Sequence, residues 1–138
     1  ILTVGKHIKQ YGDRSKNTQG MCTTLVALRI KPNGVVNLRW VGDSSAFVCS
    51  KGRLTKLTFD NNSFLGHNNK VELYDGKATK HDIYLLCTDG LTNNVGERRI
   101  NQILAEPRTI TTKANMLVAE ALHSGGDDNI TVALVGVR

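Results

Sequence analysis

Residues 23–43 read TTLVALRIKPNGVVNLRWVGD, two runs of aliphatic and β-branched residues on either side of Pro32-Asn33-Gly34. Asn-Gly takes the positive φ of a tight hairpin at little cost, so the runs 23–31 and 35–43 are expected to pair antiparallel. The pattern repeats at once. SAFVCSKGRLTKLTFD (45–60) reads as a second hairpin turning at Lys51-Gly52. Two hairpins in succession exclude a purely parallel sheet. The rest fits around them: a short strand and turn over 71–80, a near-continuous apolar strand over 81–89 and a closing strand over 129–138. Polar loops fall at 11–20 and 61–70. Ile1, Val4, Ile8 and Tyr11 recur at helical spacing and predict an amphipathic helix over 1–11. Periodic apolar residues predict helices over 96–106 and 111–125, the second stopped by Gly125-Gly126. The expectation is an α+β fold, antiparallel sheets with helices laid on them, in a single domain over residues 1–138.

Composition narrows the function classes. The chain has 138 residues, 40% hydrophobic and 22% charged, an ordinary globular balance. No apolar run approaches membrane-crossing length, and ILTVGKHIKQ lacks the apolar core and cleavage site of a signal peptide. The first residue is Ile rather than Met, which suggests a chain that starts inside a longer gene product. The net charge of +6 is scattered and aromatics are 5%. A nucleic-acid binder would show a basic stripe with stacking aromatics, so neither nucleic acid nor membrane is expected as a partner. A dispersed positive surface does attract phosphorylated, acidic partners over long range. Cys22, Cys49 and Cys87 are odd in number and far apart, with no C-x-x-C pair. They are expected to be buried free thiols in a reducing, cytoplasmic compartment.

Three segments place a carboxylate at a strand end beside glycine: RWVGDSS (Asp43), LLCTDGL (Asp89) and SGGDDNITVAL (Asp127, Asp128). One such aspartate alone is a turn former or helix cap. Three in a small chain suit a hard divalent cation, which takes oxygen ligands and keeps several waters. GDSSA (42–46) also matches a serine-hydrolase nucleophile elbow with Ser44 as nucleophile, but that motif requires a helix next, and AFVCS is strand-like.

Four ordered motifs carry a family resemblance: GMCTTLVALRI (20–30), VGDSSAFVCSKGRLTKLTFDNN (41–62), DIYLLCTDGLTNNV (82–95) and GGDDNITVALV (125–135). Together they resemble the type-2C metal-dependent protein phosphatases (PPM family) over nearly the whole chain. The resemblance implies two packed antiparallel sheets flanked by helices, an αββα sandwich with metals held by aspartates at strand ends. It implies that Asp89 and Asp128 are ligands of the first catalytic metal, that Asp89 also bridges to a third, and that Asp43 serves that third, weaker ion. Asp127 matches no family role. The implied cofactors are Mg²⁺ or Mn²⁺, two or three ions in a complete domain. The implied chemistry is attack of a metal-activated water on phosphoserine or phosphothreonine of protein substrates.

The departures are as specific as the matches. The family's phosphate-binding arginine and the aspartate that bridges both catalytic metals have no counterpart in this chain, and Asp13, followed by Arg14, does not replace the latter. The fold is therefore expected to lack its N-terminal strands, leaving unpaired sheet edges open to self-association. Cys22 stands where the family has glycine and Ser45 where it commonly has arginine. Asp60 to His81 is too short for the family's helical flap. The alternative implied by these losses is a non-catalytic phosphatase-like binding module.

Overall fold

The computed structural model describes residues 1–138. Its elements in chain order are α1 (Leu2–Gly12), β1 (Leu25–Ile30), β2 (Val35–Val41), β3 (Ser45–Ser50), β4 (Arg53–Lys56), β5 (Glu72–Lys77), β6 (Ile83–Cys87), α2 (Asp89–Thr92), α3 (Glu97–Ala105), α4 (Ile110–His123) and β7 (Val132–Gly136). They fall into two compact units. One comprises Ile1–Ser44 with Asp60–Gly76, the other Ser45–Phe59 with Lys77–Arg138.

The first unit holds a three-stranded sheet in the order β1-β2-β5. β1 and β2 pair antiparallel, with Leu25 opposite Val41 and Ile30 opposite Val36. Gly34 takes φ +81° in the connecting turn, as the Asn-Gly pair requires. Along β2, Val36, Leu38 and Trp40 point to the buried face. Between them Arg39 pairs with Asp75 of β5 at 2.8 Å, and Asn37 donates to the same carboxylate at 2.8 Å.

α1 forms where expected but does not bury the expected stripe. Val4 and Tyr11 are more than half exposed, and the buried residues are Gly5 and Gly12. The helix turns its glycine face toward the 65–69 loop, where any side chain at position 5 would meet Asn69 and one at position 12 would meet the backbone of Thr18. The 57–71 connection contains no helix. Its asparagines hold it instead: Asn61 Nδ2 donates to Lys70 O (3.1 Å), and Asn68 Oδ1 accepts from Ser63 Oγ (2.6 Å) and Phe64 N (3.0 Å).

The second unit holds a four-stranded antiparallel sheet in the order β4-β3-β6-β7. Its central strands supply Phe47, Cys49, Leu85 and Cys87 to a core completed by Ile100, Ile103 and Leu104 of α3 and Leu117 and Ala121 of α4. Each buried Leu or Ile there contributes about 1.5–3 kcal/mol. Thr109 caps α4 by accepting from Thr112 N. Cys49 and Cys87 are buried free thiols as expected, and burial pushes the Cys87 thiol up to about 12. Cys22 is exposed, against expectation. It lies before β1, outside any sheet face that could cover it.

Candidate metal centre

β6 delivers Asp89 to the edge of the second unit. After Cys87, Thr88 stays extended at φ −76°, ψ 163°, and Asp89 opens the single-turn helix α2. The turn is closed by Asn93 N donating to Asp89 O at 2.8 Å and anchored by the fully buried Leu91.

Thr88 joins this turn to the loop that carries Asp128. Its N–H donates to Thr131 O (3.1 Å), its hydroxyl donates to Asn129 O (3.1 Å), and the same oxygen accepts from Thr131 N (3.0 Å). On the other side of Asp89, Gly90 packs so closely that a Cβ would lie 2.5 Å from Asn129 O and 3.1 Å from its carbonyl carbon. Asp89 therefore sits between two residues that both press on Asn129, the residue directly after Asp128. Asp128 Oδ1 accepts from Asn129 N at 2.6 Å, and Asp89 Oδ2 accepts weakly from Asn93 Nδ2 at 3.5 Å. Asp128 is exposed and Asp89 half-buried, and neither enters an ion pair. Asp127 is exposed in the same loop.

Two carboxylates with oxygen faces open to water match the ligand chemistry of a hydrated divalent cation. No group of three or more His, Cys, Asp or Glu is arranged to hold a metal. Cys87 adds nothing, because it is buried in the apolar core and hard divalent cations prefer oxygen ligands. The residues present thus offer carboxylate oxygens to a hydrated ion and no closed cage.

Asp43 belongs to the other unit and is exposed. Its turn is held from both sides. Gly42 has φ +101° and its N–H donates to Asn61 Oδ1 at 2.8 Å, while a Cβ there would lie 2.5 Å from Thr24 Cγ2. Ser44 Oγ lies 2.9 Å from Thr24 Oγ1. Ser44 is buried and the next residue begins a strand, so this is no nucleophile elbow. Thr88, Gly90, Asn129, Thr24 and Asn61 were not singled out as functional in the sequence. The signal for the first three was the Thr-Asp-Gly triplet and the Asn-Ile-Thr that follows Asp128.

No family model matches the chain. It is 33% identical to the serine/threonine phosphatase Stp of Listeria monocytogenes, over 98% of this chain and 64% of that protein. That match runs over 163 aligned positions against the 138 residues here, so the relative carries extra residues inside the matched span. The Streptococcus agalactiae serine/threonine phosphatase superposes with a TM-score of 0.89 at 27% identity, covering 99% of this chain and 67% of that one. The catalytic domain of the phosphatase PstP, crystallised with two manganese ions, superposes with a TM-score of 0.88 at 29% identity, covering 97% and 67%. In sequence and in fold the chain is similar to bacterial serine/threonine phosphatases. It spans just under two thirds of the length of the Listeria relative.

Proposed function

We propose that this chain forms the Asp89–Asp128 side of the active centre of a metal-dependent protein phosphatase, acting on phosphoserine or phosphothreonine of protein substrates. The observation that carries this reading is the junction itself: Thr88 and Gly90 clamp Asn129 and so hold Asp89 beside the Asp128 loop. Asp89 and Asp128 would hold Mg²⁺ or Mn²⁺, and Asp43 a third, weaker ion. Such ions, when bound, supply charge stabilisation at the phosphoryl oxygens and lower the pKa of a bound water. The chain's own residues bind and orient. The two carboxylates fix position, the Thr88 hydroxyl locks the turn, and Gly90 lets the two backbones close up. The sheet edges at β1, β5, β4 and β7 are the surfaces through which copies of the chain, or a preceding segment, would pair. The thiols suit a reducing, cytoplasmic setting.

One observation favours a second reading, a non-catalytic binding module: no third acidic or histidine ligand joins the pair. A bridged two-ion mechanism needs both ions placed within a few ångströms. The deciding assay is Mn²⁺-dependent hydrolysis of a phosphothreonine peptide by this chain, alone and with an added N-terminal segment from a relative. Little turnover alone, and turnover on addition that disappears in Asp128→Asn, is the expected result. No turnover in either condition would leave the binding-module reading. Full turnover by the chain alone would show that two carboxylates suffice.

A further inference from the structure

The end of β6 away from Asp89 carries charge of the opposite sign. A cavity of about 500 Å³ opens there, beside His81 and Asp82, the last residues of the chain and the start of α4. Two cations line it, Arg108 and Lys113, and Arg138 adds a third. Lys113 is only 6% exposed and has no carboxylate partner among the ion pairs. Its ammonium donates to Leu104 O at 2.6 Å, in the last turn of α3. That bond accounts for one of three donors and for a favourable cation at a helix C-terminus.

The same lysine is nevertheless the fourth residue of the 14-residue α4, whose first turn contains no acidic residue. A buried cation at the positive end of a helix is opposite to the usual charge preference. Thr109 caps only the Thr112 N–H, which leaves the amides of Ile110 and Thr111 without an intrahelical partner. Arg108 is held only loosely, at 3.8 Å from Glu106. Asp82, a carboxylate in the lining, is already committed. Burial pushes its pKa up, but hydrogen bonds from Ser50 and Thr79 outweigh that and keep it ionised. Its Oδ2 accepts from Thr79 N at 2.7 Å and Thr79 Oγ1 at 2.8 Å.

We propose that this cavity binds a phosphate group, free or carried on a phosphorylated chain, between Lys113, Arg108 and the first amides of α4. A phosphate dianion offers several acceptor oxygens to an ammonium, a guanidinium fork and helix N–H groups at once. The five residues of β6 put the site roughly 17 Å from Asp89, so a phosphate held here is not one presented to Asp89. The inference therefore stands apart from whether the chain hydrolyses phosphoesters.

The test is titration of inorganic phosphate into the isotope-labelled chain without metal, at constant ionic strength, with chloride as reference. Saturable amide shifts at Arg108, Ile110 and Thr111 are expected, with affinity falling about tenfold in Lys113→Met and severalfold in Arg108→Gln. A phosphothreonine peptide that binds more tightly than inorganic phosphate identifies a phosphorylated chain as the ligand, and equal affinity identifies free phosphate. Shifts that do not saturate, that chloride reproduces, or that survive both substitutions unchanged would overturn the proposal. Unchanged phosphate affinity with lowered thermal stability in Lys113→Met would show that the lysine only caps α3. Should that variant fail to fold, Arg108→Gln at its exposed position decides alone, and unchanged affinity there refutes the site.

Discussion

The Asp89–Asp128 junction and the Asp43 turn each hold a carboxylate next to a glycine, by different physics. At the junction, two segments 41 positions apart at Thr88 and Asn129 are locked by one hydroxyl that donates and accepts, and by a backbone approach that excludes any side chain at Gly90. At Asp43 a single carboxylate is held by an asparagine loop, through Asn61 on Gly42 and Thr24 on Ser44. The first arrangement brings two acidic loops together. The second only orients one. Close packing and paired hydrogen bonds hold the turn of Asp89 against the loop of Asp128.

The comparison breaks most readily at Gly90. Gly90→Val must push its side chain into the Asn129 carbonyl, and a loss of about 2–3 kcal/mol in urea unfolding is expected. Divalent-ion binding should go with it. Thr88→Val keeps the shape but leaves Asn129 O and Thr131 N without their partner. It should cost about 1–2 kcal/mol and weaken Mn²⁺ binding severalfold. Asn61→Ala is the matching cut in the other region. It removes the bonds to Gly42 and to Lys70 and should cost about 1 kcal/mol while leaving Mn²⁺ affinity at the junction unchanged. An equal loss of Mn²⁺ affinity in Asn61→Ala would erase the distinction between the regions.

The smallest effect near neutral pH concerns the thiols. Cys87 adjoins Thr88 in the core, and its folded pKa near 12 lies above the unfolded 9.0. The folded state therefore keeps a proton that the unfolded state loses. The associated stability is complete below pH 9 and declines as pH rises toward 12, by about 1.4 kcal/mol per pH unit in between. Cys87→Ala should flatten that decline. In native protein a thiol reagent should label Cys22 quickly and Cys87 slowly.

Much of the architecture was legible because it rests on local chemistry. Asn33-Gly34 and Lys51-Gly52 mark the two hairpins, and the periodic residues of α3 and α4 mark the helices that cover the core. The α1 stripe misled, because Ile1, Val4 and Tyr11 have helical spacing while close approach at Gly5 and Gly12 decides which face is buried. Glycine packing leaves no hydrophobic signal. α2 was missed for a related reason: Asp89-Gly90-Leu91-Thr92 reads as a turn until Leu91 is seen to anchor it. Asp89 and Asp128 stood out in the sequence as candidate ligands, but the contact that joins their loops depends on sheet register, with Cys87 opposite Val132. No spacing along the chain encodes that.

Sharing of one ion by Asp89 and Asp128 is tested most directly by calorimetric titration of Mn²⁺ into wild type, Asp89→Asn, Asp128→Asn and Asp43→Asn. With only two carboxylates and the rest water, a dissociation constant of about 10⁻⁴–10⁻³ M is expected for wild type. Asp89→Asn and Asp128→Asn should each weaken it at least about tenfold, since each removes one of two charged ligands. Asp43→Asn should leave that binding event in place. Wild-type affinity in either Asp89→Asn or Asp128→Asn would contradict a shared ion at this junction.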